Sequence, residues 1–110
     1  MEIGGGLGDV QNLLAGYFKD KLTYYAVDIP ESLCIQEWNF RNNFPGTPTS
    51  FIGSNKNPLF VTKGSNFINA FILKDLNFGI DFAINIDSMQ EMTVTTVNDY
   101  LDFIEKHISE

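Results

Sequence analysis

The sequence predicts an all-α fold, a three- or four-helix bundle with a long loop between its first and second helices. Three observations lead there. Apolar residues recur at helical spacing in three windows, Val10 to Leu22, Phe67 to Leu76 and Val97 to Ile108. Between the first two lies a stretch crowded with Pro, Gly and Asn. The chain has 110 residues, 44% of them hydrophobic, enough for one core and too short for two.

Residues 1–8 read Met-Glu-Ile-Gly-Gly-Gly-Leu-Gly and suggest a flexible leader, with 9–110 as a single domain. No strand is evident before the glycines, no Gly-Lys-Ser/Thr follows them, and the dinucleotide spacing is absent, so a phosphate loop is not expected. Asp9 is placed to cap the first helix, whose stripe is Val10, Leu13, Leu14, Tyr17, Phe18 and Leu22. Thr23 to Ile29 has strand-like composition and is closed by Pro30. Glu31 to Phe40 fits either a helix opening after Pro30 or a strand. Residues 41–58 read as loop throughout. Ser65 or Thr62 caps a second helix through Phe67, Ile68, Phe71, Ile72 and Leu76. Ile80, Phe82, Ile84 and Ile86 alternate with polar residues, the pattern of a half-buried strand. Thr95 or Thr96 caps the last helix, with Val97, Tyr100, Leu101, Ile104 and Ile108 inward.

Charge narrows the function. The formal net charge is −7. Residues 1–74 balance acid against base, whereas residues 75–110 carry eight acids against Lys106 alone. Such a surface repels a phosphate backbone, so nucleic acid is not an expected partner. No apolar run is long enough for a membrane span. Cys34 has no partner for an intrachain disulfide, which fits a cytoplasmic protein, and its apolar neighbours suggest a buried structural thiol. His107 is the sole histidine, and no triad or metal-ligand spacing involves it. Asp81, Asn85 and Asp87 match a calcium loop only in part, so no metal is expected.

Residues 71–108 resemble the C-terminal half of the acyl carrier protein family. Phe78-Gly79-Ile80-Asp81 is similar to the end of that family's second helix. Thr95-Thr96-Val97-Asn98-Asp99, with Phe103-Ile104-Glu105-Lys106, is similar to its last helix. The resemblance implies a carrier that presents an acyl group on 4'-phosphopantetheine and performs no chemistry of its own. Lys63-Gly64-Ser65-Asn66 stands where the family has Asp-Ser-Leu, and Ser65 is the implied cofactor-bearing residue. Asp75, Asp81, Asp87 and Glu91 would then dock a basic protein partner or acyl-processing enzyme. A carrier fold without its cofactor would act by docking alone.

The strand-like segments allow a different architecture. In that alternative the chain is α+β, with Tyr24–Ile29, Leu33–Phe40, Leu59–Thr62 and Ile80–Ile86 in a small antiparallel sheet. It would serve as an acidic interaction module of inhibitor or immunity type, without cofactor.

Overall fold

A computed structural model describes residues 1–86 and 88–109. Strand β1 is Glu2–Ile3, and helix α1 is Asp9–Phe18, followed by a 3-10 turn at Lys19–Lys21. Strand β2 is Tyr24–Asp28, helix α2 Pro30–Asn43, strand β3 Thr49–Ile52 and strand β4 Ser65–Asn69. A 3-10 helix at Ala70–Asp75 precedes strand β5, Ile84–Asn85. A 3-10 turn at Met89–Glu91 leads to helix α3, Val94–His107. The five strands form one sheet in the order β3-β4-β2-β1-β5, and every pairing is parallel.

This α/β architecture replaces the helical bundle, and its parallel pairing also replaces the antiparallel sheet of the α+β alternative. The reason is burial on both faces. Strands covered on two sides lose the polar face that marks an isolated strand. On β2 and β4, Tyr24, Ala26 and Phe67 face one side and Val27 and Ile68 the other. Leu33, Phe40, Leu14 and Ala15 of α1 and α2 cover the first face. Leu73, Leu76, Phe78, Tyr100 and Phe103 cover the second.

The second predicted helix is the largest correction. Phe67 and Ile68 are strand residues with opposite-facing side chains, and Phe71 and Ile72 belong to the 3-10 helix after them. A strand abutting a tight helix mimics helical spacing over this window. The loop of residues 41–58 contains β3, which its prolines and glycines conceal. Of the run Ile80–Ile86, only Ile84–Asn85 joins the sheet, while Ile80 makes an isolated parallel bridge with Ile108. Residues 1–8 supply the inner strand β1 and the turn beyond it.

Other elements follow local chemistry. Pro30 opens α2, since its ring sets a helical φ and its missing N–H costs nothing there. Ile29 before it is held extended. Glu37 and Arg41, one turn apart on α2, form an exposed ion pair at 3.0 Å. Thr93 caps α3 by accepting from the Thr96 N–H, two residues before the expected cap. Gly8, in the left-handed conformation, occupies the cap position of α1, and Asp9 begins the helix. Along α1 the apolar stripe is split: Leu14 packs on the first face, whereas Leu13 is 73% and Tyr17 79% exposed and Gln11 is buried. Cys34 is exposed on α2. No helix among the described residues is long and apolar enough to cross a membrane.

Phe67 is fully buried and packs edge-on to Phe40 across the first face. We expect Phe67→Ala to cost about 3–5 kcal/mol of unfolding free energy. Trp38→Ala, at a largely exposed site on α2, should cost about 0.5 kcal/mol or less. Urea denaturation of the two variants checks the difference, and equal losses would contradict the packing.

Candidate functional site

All strands run parallel, so their carboxyl ends share one edge. The topology has a switch point there. From β1 the chain leaves through α1 on the first face toward β2. It reaches β5, on the other flank of β1, through Leu76, Phe78 and Ile80 on the second face. At such a point the connecting segments diverge and leave a crevice outside the strand ends.

The turn that enters this crevice is Gly4 to Gly8. The Gly4 N–H donates to the Val27 carbonyl at 2.9 Å, carrying the β1–β2 ladder one residue into the turn. The Gly8 N–H donates to the Gly5 carbonyl at 3.0 Å. From α2, the Asn39 amide donates to the Leu7 carbonyl at 2.8 Å and fixes the outer part. Gly4 has φ +71° and would direct a Cβ into Ser88, whereas Gly6, φ +59°, points into open space. A backbone with no side chains at these positions can approach a ligand closely.

Asp28 closes β2 beside this turn, and its position follows from the strand ending at Pro30. Its Oδ1 accepts from the Ile29 N–H at 2.8 Å, and its Oδ2 from Gln36 Nε2 at 2.9 Å. The carboxylate is therefore oriented from both oxygens while remaining half-exposed. On the other flank, Asn85 Nδ2 donates to the Ile3 carbonyl at 2.9 Å and to Ser88 Oγ. That pair ties the segment after β5 to the end of β1.

A cavity of about 340 Å³ opens along this edge. Gly4, Asp28, Ile29 and Ala70 line its sheet side, and Met92 and Tyr100 its far side. The volume lies in the range of small-molecule sites. Asp99 and Lys74 stand at its exposed rim. Burial, reinforced by the Asp28 charge, pushes the Tyr100 phenol above its ordinary value, so it acts as a neutral donor facing the cavity. The crevice can thus offer a close approach at Gly4, one oriented carboxylate and an apolar wall.

The residues singled out from sequence lie elsewhere. Ser65 is the buried first residue of β4, 1% exposed, and its Oγ accepts from Gln11 Nε2 at 2.7 Å. It opens no helix and presents no free hydroxyl for a phosphodiester. Asp75, at the end of the 3-10 helix, accepts from Asn55 Nδ2 at 3.2 Å. Asp81 lies at the opposite edge of the sheet, near enough to the Met1 amine to act on its ionisation. Glu91 is exposed in the turn before α3. Asp87 lies outside the described residues. His107 stacks on Phe103 with ring centroids 3.9 Å apart.

The glycine turn and Asp28 are the residues that sequence reasoning missed. The signal was present: an apolar run, Tyr24 to Val27, ends in an acid 20 residues after Gly8. It was hidden because β1 has only two residues before the first glycine. Fold and site together define an open parallel α/β domain with its crevice at the strand carboxyl ends. Compared with protein-family models, curated proteins and solved structures, the chain matches none.

The turn geometry separates two glycines. Gly6→Ala meets only the left-handed backbone penalty, about 1 kcal/mol. Gly4→Ala adds the collision with Ser88 and should cost about 2–3 kcal/mol in all. Chemical denaturation reads both, and equal costs would remove Ser88 from its place against Gly4.

Proposed function

We propose that this chain binds an adenosyl ligand of the S-adenosylmethionine class in the carboxyl-edge crevice, as the cofactor-holding part of a group-transfer protein. One observation carries the reading: Gly4, which opens the glycine turn, and the oriented Asp28 carboxylate line the same cavity at the switch point. A carboxylate ending the second strand is suited to accept both hydroxyls of a ribose. The apolar wall beside it, Ile29, Ala70 and Met92, suits a flat purine.

Charge chooses among adenosine-containing ligands. A pyrophosphate at a helix start needs an unopposed dipole and gains from nearby bases. Here Asp9 occupies the first turn of α1, the Asp28 carboxylate stands beside the turn, and no base follows in the chain before Lys19. That surrounding penalises phosphate and favours a cation. A sulfonium bonded to adenosine supplies the positive charge and, when bound, an activated methyl group. Asp28 would hold its ribose, and the turn amides would approach its amino-acid end.

A second reading rests on a different observation. Leu13, Tyr17 and Trp38 are exposed on α1 and α2, which favours an acidic interaction module without cofactor.

Calorimetric titration with S-adenosylmethionine, S-adenosylhomocysteine, adenosine and NAD decides between them. We expect the two adenosyl amino acids to bind and to raise the melting temperature, with NAD much weaker. Asp28→Ala should weaken binding about ten- to hundredfold, the loss of hydrogen bonds to a charged group. Tighter binding of NAD, or no response to any adenosyl compound, would overturn the reading, and the latter would leave the interaction module.

A further inference from the structure

Gln36 lies between two carboxyl groups. Its amide is fully buried on α2. On one side Nε2 donates to Asp28 Oδ2 at 2.9 Å. On the other side Gln36 Oε1 has no hydrogen-bond partner. Glu2 is close by: a Cβ on Gly5 would lie 2.8 Å from Glu2 Oε1 and 3.2 Å from Gln36 Oε1, so both oxygens lie beneath one glycine. An amide offers a donor at one end and an acceptor at the other. It cannot satisfy two carboxylates in either orientation. A proton on one of the two acids would give Gln36 Oε1 the donor it lacks.

The surroundings say which. Asp28 is half-exposed and accepts a second bond from the Ile29 N–H, so its charge is supported. Glu2 is 3% exposed in an inner strand, with Ala26 and Ile84 beside it in register. The groups acting on it are few. Tyr24 on β2 donates its hydroxyl to Glu2 Oε1 at 2.7 Å, Gln36 on α2 is uncharged, and Asp28 repels it. Among the described residues, the cation acting on it is the Met1 ammonium, which donates to the Phe82 carbonyl at 2.7 Å and is itself lowered to about 6 by burial.

We propose that Glu2 is a neutral carboxylic acid that donates its proton to Gln36 Oε1, and that Gln36 thereby acts as the positioning residue for Asp28. The chain runs Tyr24 to Glu2 to Gln36 to Asp28, each member donating to the next. It links the inner strand to the carboxylate at the crevice, beneath the glycine turn. Burial raises the Glu2 carboxyl above its ordinary value, which agrees with this geometry. The protonation of Glu2 stands on packing alone, whereas the role of Gln36 toward Asp28 rests on the adenosyl-ligand reading.

Glu2→Gln tests the proton. A glutamine amide can donate to Gln36 Oε1 and accept from Tyr24, as the neutral acid does. The variant should melt at or above the parent temperature. A folded-state pKa above the unfolded value gives stability that is present at low pH and lost as pH rises through it. The parent should therefore lose stability relative to Glu2→Gln as pH rises above 4.5. Carbon-13 NMR of labelled glutamate carboxyls should show one titrating above the rest, absent in Glu2→Gln. A Glu2 resonance that titrates with the others, or a variant melting several degrees lower, would overturn the proposal. Gln36→Leu tests the positioning: adenosine should bind about tenfold more weakly, with 2',3'-dideoxyadenosine unchanged. Equal losses for both nucleosides would mean that Gln36 acts only on packing. A parent protein that binds no nucleoside would remove the site reading and the role assigned to Gln36, leaving the Glu2 titration to stand or fall by itself.

Discussion

The structure depends on an inner strand of two residues. Glu2 and Ile3 pair with β2 on one side and β5 on the other, and a strand this short cannot hold its place by its ladder alone. It is clamped at both ends. The Ile84 N–H donates to the Met1 carbonyl at 2.8 Å, and the Gly4 N–H to the Val27 carbonyl at 2.9 Å. Asn85 reaches the Ile3 carbonyl from the far side. These bonds satisfy backbone groups that have no access to water and would otherwise be costly. They also determine where the glycine turn begins, and so where a ligand can meet the backbone.

Placing an acid on that strand has consequences across the first face. The carboxyl group under the turn needs partners: the Tyr24 phenol of β2 donates to it, and the Gln36 amide of α2 lies nearby. Gln36 and Gln11 are both buried to about 1% exposure, unusual for their type. Gln11 bonds Ser65 on β4, and Gln36 bonds Asp28 on β2. Helices α1 and α2 are thus joined to the sheet by polar contacts as well as by Leu33 and Phe40. This explains the split of the α1 stripe. Gln11 takes the inward position, and Leu13 and Tyr17 are rotated toward solvent with it.

Elements whose signals are local could be read from the sequence. The last helix, the strand-like run before Pro30 and the helix option after it all appear, because capping residues and proline act within a few positions. The sheet could not be read, because its evidence is non-local. Ser65 to Asn69 become a strand by pairing with Tyr24 to Asp28 and with Thr49 to Ile52. Nothing within the window distinguishes that from one turn of a helix. Ser65 is the clearest case. A serine after a glycine is a good helix cap by residue type, yet here Gly64 is the residue that lets the chain pass the Pro48 carbonyl and enter the strand.

The site was obscured for a different physical reason. A glycine-rich turn is informative only with a strand before it and a helix after it. The helix was visible, but two residues cannot display a period of two. What identifies the turn is Asp28, and Asp28 acquires meaning only when β2 is placed next to β1. The same placement sets the polarity of the crevice. With Asp9 at the helix start and Asp28 beside the turn, the crevice would repel the phosphates that its glycine pattern would otherwise suggest. The acids that looked like a docking surface when counted along the last third of the chain thus matter less than two in its first third. Their effect comes from where the parallel sheet puts them and not from their number.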